Sequence, residues 1–461
     1  MGTTIAEKIQ IIKNNRDAIW QAIVDKGGNI TGNFLTYADA ISGISGGGNS
    51  SVKRSYVNFY DYDGTILYSY TTADFLALSS MPKLPTRDGL ICQGWNYDIE
   101  DAKEYVEEYG NLNIGATYIT DDGKTRLYID VAADGRKDVP LNVCLIPEGF
   151  EPQAPAAVEA DFDTIVNDGR LIIDWGDGNI EEFEGCNYYQ LRHRYQEIGN
   201  YVISIATNED YELLFGSFEA NSIGMTSENR SVMLNMNGGG DIGSLYAGML
   251  KHVEIGNNVT RISNFAFVCC GLSSIVIPNN VTSIGVFAFG ECHYLSSIVI
   301  PNSVTSISEG AFGGCTSLSS IVIPNSVTNI NEGTFQDCIL LSSIVIPNSV
   351  TNFGVEAFYN CDSFSSIVIP NSVTSIEECA FNHCSTAKYY DFSHHTSIPT
   401  IYTSDIFGNP QDNWYILVPS HLYDTWINEP NWCDYADRII TDKSIIDNDD
   451  QSGEPTQRPD A

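Results

Sequence analysis

The sequence predicts a mainly β, multidomain protein: a helical N-terminal anchor, small β modules, and a C-terminal solenoid closed by an aromatic cap. Three observations carry that expectation. From about Leu250 the chain copies itself at intervals of 22 or 23 residues. A fixed period in this range marks a solenoid, because one unit cannot bury its apolar face alone. Between residues 55 and 215, short apolar runs alternate with Asp-Gly and Pro-containing turns, the pattern of small β units. The first 45 residues instead place aliphatic side chains at helical spacing.

Composition narrows the function classes. Of 461 residues, 59 are acidic and 23 basic, a formal net charge of −36. Such a surface repels nucleic acid and anionic lipid. No run of about 18 apolar residues occurs, so no membrane insertion is expected. The N-terminus, "MGTTIAEKIQIIKNNRDAIW", has no apolar secretory core, which predicts folding in a cytosol. Six of the twelve cysteines (Cys270, Cys292, Cys315, Cys338, Cys361 and Cys384) recur once per repeat. That spacing predicts packing positions rather than bridges, and no CxxC is present to suggest a metal. No cofactor and no catalytic residue is expected.

The repeat itself reads "LSSIVIPNSVTSISEGAFGGCTS" from Leu295, with close copies from Leu272, Leu318, Leu341 and Phe364, and a degraded one from Leu250. In the Leu295 unit the apolar positions are Leu295, Ile298, Ile300, Val304, Ile307, Phe312 and Cys315. Leu-x-x-Ile-x-Ile gives a short strand with alternate side chains inward, and Pro301-Asn302 turns the chain. Strands stacked about 4.8 Å apart put six units in a sheet of roughly 30 Å. The pattern L..I.IP.SVT.I...AF..C resembles the BspA-like leucine-rich repeat, which occurs in bacterial surface adhesins and phage structural proteins. That resemblance implies adhesion without catalysis.

The strand and first turn, "SSIVIPNSVT", are identical in four units, whereas the segments before each cysteine vary. Val276, Val299, Val322, Val345 and Val368 fall at the outward strand position, so they are expected to form an exposed ladder, either a ligand-binding stripe or a plain stack of like side chains. After Cys384 an aromatic stretch with Trp414, Tyr423, Trp426, Trp432 and Tyr435 is expected to cap the last coil. "LYDTWINEPNW" reads as a short helix stopped by Pro430, and His394-His395 near Asp391 as cap residues. Residues 443–461 read as a disordered acidic tail.

In the middle, "RLIIDWGDGNIEEFEG" and "HRYQEIGNYVISIAT" resemble a PKD-like immunoglobulin-type sandwich. The resemblance puts Trp175 in the core, with Asp174 and Asp177 capping turn amides. "NFYDYDGTIL" raises a phosphatase reading through Asp61 and Asp63, with Lys124 and Asp174 or Asp177 as conceivable partners. The doubly wound order of elements which that chemistry needs does not follow. The run "V.F.D.DG…P..P…G…GW" instead resembles an InlB-type β-grasp repeat, with Asp61 and Asp63 in a hairpin turn. Thr72 is the expected cap of a short helix, "IEDAKEYVEEYG" a second helix stopped by Gly110, and "GATYITDDGKTRLYIDVAADG" a hairpin around Asp122-Gly123.

Ile5, Ile9, Ile12, Ile19 and Ile23 line one face of the N-terminal helix. With "YADAI" and a Gly/Ser linker, this segment resembles the attachment segments of tailed-phage virion proteins. The expected order is 1–45 attachment segment, 46–54 linker, 55–110 β-grasp-like module, 111–215 PKD-like sandwich, 216–249 connector and N-terminal cap, 250–387 repeats, 388–442 C-terminal cap and 443–461 tail. The function expected is a phage virion structural protein, a tail or head fibre or appendage contacting a host-surface protein or polysaccharide. Its partners would be other virion proteins, with self-association open. A bacterial cell-surface adhesin is the alternative.

Overall fold

The computed structural model describes residues 56–131, 138–148, 168–215, 249–408 and 414–445. The attachment segment with its five isoleucines, the linker and residues 216–248 lie outside the described residues.

The first module runs β1 (Tyr56–Tyr60), β2 (Ile66–Thr71), α1 (Thr72–Leu76), β3 (Leu90–Trp95), α2 (Ile99–Tyr109) and β4 (Leu112–Thr120). Its sheet has the order β2-β1-β4-β3, with β1 and β4 parallel and the outer pairs antiparallel. Val57, Phe59, Phe75, Ala102, Val106, Leu112 and Ile114 form its core. The N-cap of α1 is Thr71, whose side chain accepts from the Asp74 amide, one residue before the expected Thr72. Asp98 caps α2, and Gly110, at φ 86°, ends it in the left-handed conformation that glycine adopts freely.

The expected hairpin around Asp122-Gly123 does not form. β4 pairs with β1 along Leu112–Gly115 and with β3 along Ala116–Thr120, and β5 (Thr125–Val131) parts from it after the turn. It pairs instead in a second sheet. The boundary expected at residues 110 and 111 therefore moves to the turn after Thr120.

Next come β6 (Asp138–Pro147), β7 (Arg170–Asp174), β8 (Ile180–Glu184), β9 (Asn187–Arg194), β10 (Gly199–Thr207), β11 (Tyr211–Phe215) and β12 (Leu250–Glu254). One sheet has the order β12-β5-β10-β7-β8 and the facing one β11-β6-β9. Trp175 is fully buried between them, and its carbonyl accepts from the Tyr195 hydroxyl at 2.8 Å. Asp174 accepts from the Gly176 amide at 2.9 Å and Asp177 from the Asn179 amide at 3.1 Å, so both carboxylates hold the turn.

β12 is also the first strand of the solenoid. It pairs antiparallel with β5 and parallel with the strand Ser274–Val276 of the next coil. The sandwich thus packs directly on the solenoid's N-terminal end; of the connector expected to cap it at 216–249, only Met249 lies within the described residues. Phe215 of β11 packs on Phe267 with the rings tilted and centroids 5.2 Å apart, and one apolar core runs from Leu127 through every coil to Ile439.

The coils stack in register, with Ser297, Ile298 and Val299 opposite Ser320, Ile321 and Val322. Ile298, Ile300, Val304, Ile307, Ala311, Phe312 and Cys315 are buried. Phe289, Phe312, Phe335 and Phe358 stack face to face at 5.4–5.6 Å. Each repeat thiol from Cys292 onward donates to a phenylalanine carbonyl of the preceding coil, as Cys315 Sγ does to Phe289 at 3.2 Å. Burial raises these thiols, Cys384 to about 12, so they stay protonated and able to donate. A small apolar side chain with one donor is what that corner requires. All described cysteines are free.

Trp414, Trp426, Trp432 and Tyr435 close the far end, with Tyr423–Trp426 helical. Trp432 Nε1 and Asn431 Nδ2 donate to the Pro399 and Ile401 carbonyls, at the short strand Thr400–Ile401, at 2.8 and 2.7 Å. The start of the expected tail is ordered: Lys443 lies 4.5 Å from the Tyr389 ring, and Ile445 packs on Tyr389, Leu417 and Ile440.

Candidate functional site

The strand face is the surface on which a binding stripe was expected. It is not exposed. Val276, Val299, Val322 and Val345 are 1, 8, 8 and 4% exposed, and Val368 is half-buried. The reason is the first module, which lies across these coils. Val322 and Val345 join its core, and Val276 packs with Leu90, Ala116 and Tyr118. Gly115 of β4 crosses directly over Val299, where a Cβ would fall 2.5 Å from Val299 Cγ1. A residue without a side chain is needed at that crossing.

The module also reads the coils one after another. In each, the isoleucine before the proline turns its carbonyl toward the module or cap, and this buried acceptor needs a donor. Asn96 Nδ2 donates to Ile300 at 3.4 Å, Tyr97 Oη to Ile323 at 3.3 Å, and Tyr105 Oη to Ile346 at 3.5 Å. At the next coil His395 Nε2, from the cap, meets the Ile369 carbonyl at 3.1 Å. Tyr109 adds a hydrogen bond to Asn348 at 2.7 Å and an edge contact with His394. Both histidines of the expected cap pair therefore have packing roles.

Asp61 and Asp63 sit in the β1–β2 hairpin turn, with Gly64 at φ 84°. The Asp61 carboxylate is 1% exposed and accepts from Tyr118 Oη at 2.7 Å, the Tyr62 amide at 2.9 Å, and the Arg87 guanidinium. Asp63 accepts from the Thr65 amide. Lys124 pairs with Asp122, while Asp174 and Asp177 belong to the sandwich turn. These carboxylates are committed to holding turns, and the four-stranded sheet lacks the doubly wound order of a phosphatase.

The corner beside this turn joins three parts of the molecule. His252 of β12 lies between Tyr62 and Tyr128, ring centroids 5.4 and 5.2 Å away. Its Nδ1 is 2.9 Å from the Ser274 hydroxyl, which can donate or accept, and 3.1 Å from the Ser274 carbonyl. Burial lowers the pKa of this imidazole, opposed by Ser274, Glu254 and Asp63.

The opposite face is where the coils differ. Two positions per coil are left-handed: Phe265, Phe287, Gly310, Gly333, Glu356 and Cys379 in one row, and Cys269, Glu291, Gly314, Asp337, Asn360 and His383 in the other. Glycine suits such a backbone, yet most coils carry a side chain there, at roughly 1–2 kcal/mol each. Phe287, Glu291, Glu309, Glu332 and Glu378 are exposed on this side. Sequence comparison among the coils marked this variability, but not the docking of the module on the constant face.

Residues 260–388 match the BspA type leucine-rich repeat region in six copies. The repeat region is of the BspA leucine-rich type. Among solved structures, a leucine-rich repeat protein of T. pallidum is similar at 30% identity over 29% of this chain and 58% of that one, TM-score 0.24. One from Eubacterium ventriosum is similar at 24% identity over 35 and 43%, TM-score 0.32. A leucine rich cell surface protein of Faecalibacterium prausnitzii is similar at 26% over 38 and 55%, TM-score 0.27. The chain thus spans between two fifths and three fifths of each of these three solved chains. No curated protein matches it.

Proposed function

We propose that this protein is a display protein without catalytic chemistry, which presents its BspA-type solenoid for adhesion to a host-surface protein or polysaccharide. One observation carries the reading. The constant strand face is covered from within the chain, whereas the variable face sets side chains at left-handed backbone positions on most coils, with Cys269, Phe287, Glu291 and His383 exposed there. A surface that varies from coil to coil and keeps strained, exposed side chains is suited to recognition. BspA-type repeats also belong typically to binding and structural proteins.

The carrier we propose is a tailed-phage particle, joined through residues 1–45 with Ile5, Ile9, Ile12, Ile19 and Ile23 against other virion proteins. The resemblance of that segment supports it. The bacterial cell surface is the second reading, favoured by the repeat type and by the F. prausnitzii cell surface protein. Mass spectrometry of purified particles and of cell-envelope fractions separates the two. Deleting residues 1–45 is expected to leave a folded body that no longer joins particles. Undiminished incorporation would refute the anchor.

A further inference from the structure

The first module is built as a separable piece. Val57, Phe59, Phe75, Ala102, Val106, Leu112 and Ile114 come from the module itself, and Val322 and Val345 of the coils complete this core on the docked side. Among the described residues its one covalent link to the sandwich is the turn Asp121–Lys124, between β4 and β5. That turn is closed by a Gly123–Thr120 bond at 3.4 Å and pinned by the Asn257 amide on the Gly123 carbonyl at 3.2 Å.

Its contact with the solenoid is uneven, tight at the rim and looser over the carbonyl row. At the rim Tyr109 donates to Asn348, and the Asn279 amide to Gln93, both at 2.7 Å, whereas the bonds of Asn96, Tyr97 and Tyr105 to the coil carbonyls are 3.3–3.5 Å long. Between coils, the amides of Phe289, Phe312 and Phe335 donate at 2.8–2.9 Å. Ser297 Oγ is buried under the module without a hydrogen-bond partner. Beside it a cavity of about 20 Å³ lies between Tyr60, Asn96 and Asn113 of the module and Ser297, Val299 and Ser320 of the coils. The long carbonyl bonds, the unpartnered Ser297 hydroxyl and the cavity each lower the cost of parting the two surfaces.

We propose that the first module is a hinged flap, which opens about Asp121–Lys124 while the sandwich and solenoid stay folded. Opening uncovers the stripe Val276, Val299, Val322 and Val345, with the Ile300, Ile323 and Ile346 carbonyls beside it. The surface uncovered fits an apolar segment that offers amide or hydroxyl donors at coil spacing, the chemistry that Asn96, Tyr97 and Tyr105 supply when the flap is shut. The proposal does not depend on which carrier holds the chain.

The test is thiol labelling of the full chain carrying Val322→Cys, with N-ethylmaleimide and site-resolved mass spectrometry, across low urea concentrations. Cys315 in the solenoid core reports global unfolding, and exposed Cys433 reports free reactivity. The expected result is that Val322→Cys labels at least about tenfold faster than Cys315, more slowly than Cys433, and with weaker urea dependence than Cys315. Adding Gly115→Val, which wedges against Val299, is expected to raise the Val322→Cys rate about tenfold and leave Cys315 unchanged. Val345→Cys repeats the measurement should Val322→Cys fold poorly. Equal rates and urea slopes for Val322→Cys and Cys315 would overturn the flap, because opening would then require global unfolding. Labelling as fast as Cys433 would overturn it too, because the face would never be shut.

Discussion

Every central coil makes two contacts, one with its neighbouring coils and one with the first module, and the two are built on different principles. The first repeats the same atoms at each step: a stacked phenyl ring, a thiol on a phenylalanine carbonyl, aliphatics in register. The second meets one repeated feature, the isoleucine carbonyl before each proline, with a different side chain each time: Asn96, then Tyr97, then Tyr105. Periodic packing needs periodic sequence, whereas a folded module laid across a periodic surface needs only that its irregular residues land on the rungs.

The contrast predicts unequal losses. The largest is expected from Phe312→Ala, which removes a fully buried ring stacked at 5.4 and 5.6 Å between Phe289 and Phe335. Its cost should be about 3–5 kcal/mol in urea unfolding. A loss under about 1 kcal/mol would mean that the ring column is not a principal support of the solenoid.

The same difference explains what could be read in advance. The solenoid was legible because each buried position recurs: the aliphatics, Phe312 and Cys315 announce their role by repetition, as do the cap's tryptophans by their number. The module's docking was not. Tyr97 meets Ile323 across 226 positions, and nothing local in "WNYDIEDAKEYVEEYG" distinguishes a tyrosine that faces a carbonyl from one that faces solvent. The valines were read as outward, which they are with respect to their own coil. What covers them lies in another part of the chain. The Asp122-Gly123 turn was legible as a turn, but a turn signal looks the same whether the strands beside it pair or part. Here β5 parts from β4 because its partners, β10 and β12, come from later in the chain.

Gly115→Val is the next largest effect, and it separates the two contacts. The added side chain falls on Val299 while leaving the coil core untouched, so about 1–3 kcal/mol should be lost, in the docking of the module alone. Calorimetry is expected to show a shifted or separate module transition with the solenoid transition in place. A single transition lowered as a whole would show that module and solenoid unfold as one unit.

Acid should weaken both ends of the strand face. His252 at the module corner and His395 at the cap are each held below the ordinary histidine value, first by burial. The unfolded chain then binds more protons, so stability rises with pH between the lowered values and about 6.5. Their contribution is complete above that range and lost as pH falls through it. Thermal unfolding from pH 7.5 to 5 should show the decline, and His252→Gln with His395→Gln should flatten it. A profile unchanged by both substitutions would assign the acid sensitivity to other groups.

The smallest effect expected is the most specific to the module contact. Tyr97→Phe and Tyr105→Phe keep the rings that fill the space over Val322 and Val345 and remove only the hydroxyls. Since those hydrogen bonds are 3.3 and 3.5 Å long, each should be worth no more than about 0.5–1.5 kcal/mol. Tyr97→Ala should cost more, because it also opens a cavity between module and coil. If phenylalanine proves as damaging as alanine, donation to the isoleucine carbonyls dominates the docking. If phenylalanine is neutral, valine burial holds the module down and the carbonyl rungs find water instead.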